Sequence, residues 1–155
     1  SIFLIVADHD ERPRGRSLVP IESYHIPGLI IADGLTPRHF DKVASHIDLL
    51  PTLLFLANVS GTAPFVGHNL LSIPPDHHGR AIMQFGKNHA YMEGENVVIH
   101  QPDRAAEQYL YTNKTLIPTT LQQDLARKAL IWASLPGVLY REGLYTPNSG
   151  AAQLP

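Results

Sequence analysis

Ile2-Phe3-Leu4-Ile5-Val6-Ala7-Asp8-His9 begins with six apolar residues, three of them β-branched, and ends on a carboxylate and an imidazole. An apolar run with no polar alternation fits a strand buried on both faces of a parallel sheet better than a surface strand with one wet face. The expected fold class is therefore α/β, with a mostly parallel sheet flanked by helices. In such sheets ligands bind outside the carboxyl ends of the strands, which is where Asp8 and His9 fall. The pair suits a divalent cation such as Mn²⁺, Zn²⁺ or Mg²⁺. By spacing alone it also reads as an ordinary surface turn with an Asx-type bond, the commoner case, and a full metal site needs three or four groups.

Outward from this corner, residues 8–20 are polar and carry Pro13, Gly15 and Pro20, so they read as a loop. Residues 26–32 form a second apolar run, with Pro27 and Gly28 suggesting a short or edge-proximal strand. Residues 45–58 are the clearest helix: Ser45 or Asp48 can cap it, Pro51 is tolerable in its first turn, and five leucines cover most of its surface. A Gly- and Pro-rich connection follows over residues 60–75. Short strands are expected at 81–85, 90–92, 97–100 and 108–111, with Glu93-Gly94-Glu95-Asn96 as a hairpin turn in which Gly94 or Asn96 takes positive φ. Thr119 or Thr120 is expected to cap a last helix with Leu121, Leu125, Ala129 and Trp132 on one stripe, broken or kinked at Leu135-Pro136-Gly137. The expected division is a core portion at 1–75, a small antiparallel sheet plus C-terminal helix at 76–146, and a disordered tail at 147–155.

Composition narrows the function. With 44% hydrophobic and 17% charged residues in 155, the chain is globular rather than disordered. A net charge of -2 without a basic stripe argues against nucleic acid as a partner. The absence of cysteine excludes disulfides, zinc-thiolate sites and a thiol nucleophile. No apolar run approaches the roughly 18–20 residues of a membrane span. Ser1 leads straight into the apolar run without an initiator Met, so the chain is expected to start in mid-domain. A strand such as residues 2–7 would then keep an open edge, covered by a second copy in a dimer or by another chain segment.

Four segments in order carry a family resemblance. Ala7-Asp8-His9, Tyr24-His25-Ile26-Pro27-Gly28-Leu29-Ile30, Ser45-His46-Ile47-Asp48-Leu49-Leu50-Pro51-Thr52-Leu53-Leu54 and Pro64-Phe65-Val66-Gly67-His68-Asn69-Leu70-Leu71 together resemble the C-terminal part of sulfatase-fold enzymes of the alkaline phosphatase superfamily. The set is most similar to the branch with lipoteichoic acid synthases and envelope phosphoglycerol transferases. The resemblance implies an alkaline-phosphatase-like core portion with a mostly parallel sheet, in which Asp8 and His9 ligate a divalent metal, manganese first and magnesium, zinc or calcium as alternatives. Arg12 is a candidate for a substrate phosphate, or one of three solvated loop arginines with Arg14 and Arg16. The nucleophile and remaining ligands belong to a region upstream of the family's matching part, so the chain alone is expected to be inactive. The implied activity is phosphoglycerol or phosphoethanolamine transfer from a phospholipid head group to an envelope glycan. Sulfate-ester or phosphodiester hydrolysis, or a non-catalytic accessory module, are the alternatives. The implied partners are a phospholipid or glycan substrate and the missing N-terminal half. The implied place is the periplasm or extracytoplasmic face of the inner membrane, the chain itself being soluble.

Departures from the pattern are specific. Asp10 stands where Gly usually follows Asp-His, and could tolerate a left-handed conformation or add a carboxylate near the metal. His46 stands where Gln is common, and a hydrogen-bonded helix-start histidine is the reading preferred over a second-metal ligand. His25, His89 and His100 default to structural roles, as does the His77-His78 pair. Thr52, Thr119 and Thr120 have no base placed beside them.

Overall fold

The computed structural model describes residues 1–8, 10, 17–61 and 64–145. The first strand, β1 (Ile2–Val6), pairs with β2 (Gly28–Ala32) in an antiparallel two-stranded sheet. The expected mostly parallel sheet is not there: among the described residues the only parallel contact is an isolated bridge between Val43 and Gly79. The apolar run also alternates in exposure rather than being buried throughout. Phe3 and Ile5 face outward at 60% and 58% exposure, directly opposite Ile31 and Leu29 at 48% and 54%. A run of apolar residues says nothing about strand direction, and a 21-residue connection is long enough for either sense; the register from Ile2–Ala32 to Val6–Gly28 is antiparallel.

Short 3₁₀ turns at Ile21–Tyr24 and His46–Asp48 lead into β2 and into α1 (Leu49–Leu56). Ser45 is extended and its N–H donates to Asp48 Oδ2 at 2.9 Å, half of a capping box. Asn58 closes α1 with positive φ, and the Val59 N–H reaches back to the Leu54 carbonyl at 2.9 Å.

The remainder is a five-stranded antiparallel meander of β3 (Arg80–Phe85), β4 (Asn88–Glu93), β5 (Asn96–His100), β6 (Glu107–Thr112) and β7 (Thr115–Thr119), followed by α2 (Gln123–Arg141). Gly94 supplies positive φ in the β4–β5 turn, as its sequence suggests. The strand that is buried on both faces is β5: Val97, Val98 and Ile99 are all 0% exposed. Val97 and Ile99 join Met83 and Ala90 under Val19 and Ile21 on one face, while Val98 and Tyr91 meet Leu125 and Ala129 of α2 on the other.

Two boundaries differ from expectation. Thr119 ends β7 instead of capping the helix, and Gln122 precedes α2. Pro118 is accommodated because β7 is an edge strand, where a missing donor costs no ladder bond on the open side. Pro136 does not end α2, which continues to Arg141; one absent N–H removes a single rung, and Ser134 Oγ meanwhile bonds the Leu130 and Ile131 carbonyls. The tail from 147 lies outside the described residues.

Candidate functional site

The end of β1 opens on a cleft of about 1200 Å³ between the two-stranded sheet and the rest of the molecule. Leu4, Val6 and Ile30 line one wall, Leu49 and Met83 the other, and Asp8, Asp10, His25 and His46 add polar groups. Asp8 and Asp10 are exposed. His9 and Arg12, the other two expected site residues, lie outside the described residues. Among the described residues no group of three or more His, Asp or Glu lies close enough to hold a metal ion. Asp8 thus fits a ligand by its chemistry and by its opening on the cleft, but the described residues do not by themselves complete a coordination shell.

His46 stands beside this corner. Its Nε2 lies 3.0 Å from the carbonyl oxygen of Ala7, the residue before Asp8, so it takes the hydrogen-bonded role preferred for it. The far side of the cleft carries Glu22, whose carboxyl is held low chiefly by a bond from Lys114 and then by Tyr111.

His77, His100 and Thr52 make bonds that join elements of the fold. His77 Nδ1 accepts from the Gly79 N–H at 2.9 Å and its ring meets His68 edge-on with centroids 6.0 Å apart. His100 Nε2 lies 3.3 Å from the Ala126 carbonyl, tying β5 to α2. Thr52, 1% exposed, donates its hydroxyl to the Asp48 carbonyl at 2.6 Å and accepts from the Leu70 N–H at 3.0 Å.

Sequence reasoning missed the most heavily bonded group near the site. Asp48 and Arg80, 2% and 3% exposed, form a two-point ion pair with N–O distances of 3.2 and 3.1 Å. Asp48 also accepts from the Ser45 and His68 N–H groups at 2.9 and 2.8 Å. Arg80 donates to the Val66 carbonyl at 3.3 Å and lies 4.3 Å over the Trp132 ring. Ser45 Oγ stitches β3, donating to the Arg80 carbonyl and accepting from the Ile82 N–H, each at 3.2 Å. Gly67 lets the loop approach the 3₁₀ turn before α1: a Cβ there would sit 1.8 Å from the Ile47 carbonyl oxygen. The Ser45-to-Leu54 and Pro64-to-Leu71 motifs are therefore a clasp holding α1, a loop, β3 and α2 together. An arginine at the start of a strand gave no sequence signal of burial; the acidic cap at Asp48 was the nearest hint.

No protein-family model matches the sequence. Among solved structures, the chain is similar to a protein in the alkaline phosphatase superfamily from Vibrio parahaemolyticus, at 33% identity and a TM-score of 0.87. The chain is related to an alkaline phosphatase superfamily protein. The match covers 94% of this chain and 36% of that protein, so the chain spans little more than a third of its relative's length. The structural similarity thus extends over the hairpin, the clasp and the meander together. No helix among the described residues is long and apolar enough to cross a membrane.

Proposed function

We propose that this chain forms one side of the active site of a metal-dependent phosphoglycerol or phosphoethanolamine transferase, acting on phospholipid head groups or envelope glycans outside the cytoplasmic membrane. The observation that carries this reading is Asp8 at the end of β1, opening on the 1200 Å³ cleft in a chain similar to an alkaline phosphatase superfamily protein over 94% of its length. Asp8 and His9 would hold a divalent ion, manganese first, which when bound would polarise a phosphoryl oxygen as a Lewis acid. The cleft walls would exclude water from the reacting phosphodiester, and Arg12 would pair with its charge.

The partner in this reading is further polypeptide of the same protein, supplying the nucleophile and remaining ligands. Two observations support it: the relative carries much more chain than is matched, and β1–β2 presents Phe3, Ile5, Leu29 and Ile31 as an exposed apolar face. The test is turnover by the complete polypeptide with Mn²⁺, using a fluorescent phosphatidylglycerol and, in parallel, p-nitrophenyl sulfate. Head-group release is expected with the lipid, and Asp8→Asn should lower it about 100-fold or more, at least the effect of disturbing a metal's supporting groups. The 155-residue chain alone should be inactive. Turnover of the sulfate ester only, or full activity in Asp8→Asn, would overturn the proposal.

A further inference from the structure

We infer that His46 is the positioning residue of the Asp8 corner, an inference that rests on the reading of that corner as part of a metal site. Its Nε2–H donates to the Ala7 carbonyl at 3.0 Å, the last backbone acceptor before Asp8. His46 in turn opens the 3₁₀ turn held by Asp48, whose carboxylate accepts from Ser45 N–H and His68 N–H and pairs with Arg80. A rigid, buried cluster is thus linked through one imidazole to the end of a strand whose own sheet has only two members. The carbonyl fixes the peptide plane between Ala7 and Asp8, and that plane sets the direction in which the Asp8 side chain leaves the strand. His46 needs no ligand role to matter; it holds the backbone from which a ligand would reach.

Replacing the donor separates this from mere packing. Two variants suffice: His46→Ala removes the donor, and His46→Gln keeps an N–H donor at similar reach without an imidazole. One neutral hydrogen bond corresponds to about a fivefold change in a local opening equilibrium. Amide hydrogen exchange over residues 6–8 of the metal-free chain should therefore rise about fivefold in His46→Ala and return near the original rate in His46→Gln. Exchange in β4 and β5 should not move in either variant. The imidazole ¹⁵N shifts of His46 should report the proton on Nε2. Unchanged exchange over residues 6–8 in His46→Ala, or a failure of His46→Gln to restore it, overturns the positioning role.

A second arm tests the reading beneath it. Titrating MnCl₂ into the ¹⁵N-labelled chain should broaden the Asp8 and Asp10 amides before those of the exposed His39–Asp41 pair, with more Mn²⁺ needed in His46→Ala than in His46→Gln. Absence of selective broadening at Asp8 in the unaltered chain would reject the metal reading while leaving the exchange result to decide the role of His46.

Discussion

The clasp around Asp48 and the hairpin carrying Asp8 lie one hydrogen bond apart and follow opposite rules. In the clasp every oxygen of a buried carboxylate is bonded, and a charge-assisted pair is closed by two backbone donors and an aromatic face. In the hairpin, large apolar side chains stand 48–60% exposed and a carboxylate opens on a wide cleft. The contrast teaches that the residues most recognisable as motif need not be the chemical ones. Ser45, Asp48, Thr52 and Gly67 hold the frame, and the proposed chemistry sits at a corner the frame holds only lightly.

Breaking the clasp should have the largest effect. Asp48→Ala leaves Arg80 buried without its counter-charge, and should cost about 3–5 kcal/mol in urea unfolding. Asp48→Leu combined with Arg80→Met should cost less than Asp48→Ala alone, because no buried charge is orphaned. A double variant worse than the single would mean that the pair contributes packing rather than charge compensation.

Next in size is a matched pair of truncations in the two sheets. Ile99→Ala, in the strand buried on both faces, should lower stability by about 2–5 kcal/mol. Ile5→Ala, on the exposed face of β1, should stay within about 0.5 kcal/mol. Equal losses at the two sites would erase the distinction between them.

The smallest expected effect is one of pH. Burial pushes the Glu93 carboxyl upward, but bonds from Tyr91 and Lys128 outweigh it and leave its pKa lowered. A lowered folded pKa gives stability that is full above the unfolded carboxylate value, about 4.3, and is lost as pH falls through the folded value. The melting temperature should therefore drop less between pH 6 and pH 3 in Glu93→Gln than in the unaltered chain. An identical drop would show that this contact between α2 and the meander is not linked to acid sensitivity.

The sequence was legible where structure is local. The Glu93-to-Asn96 turn, its two flanking strands and the Leu125–Ala129 stripe follow from short-range periodicity and one positive-φ glycine. It misled where partners are distant. Residues 2–7 read as a doubly buried strand by apolarity, yet that environment belongs to Val97–Val98–Ile99, whose burial depends on α2 and on Val19 and Ile21 arriving from far along the chain. Pro136 read as a break because the cost of a single lost rung appears only in three dimensions. At the site, Asp8 and His46 were legible as candidates, but the hydrogen bond from His46 to Ala7 and the buried Arg80 were not, since neither leaves a mark in spacing.

Native-state hydrogen exchange, residue by residue, tests the central contrast most directly. Amides of β4 and β5 should exchange only through global unfolding, while those of β1 and β2 should exchange orders of magnitude faster through local opening of the two-stranded sheet. Equal protection in β1 and β5 would contradict the account, because the Asp8 corner would then belong to the same rigid unit as the clasp.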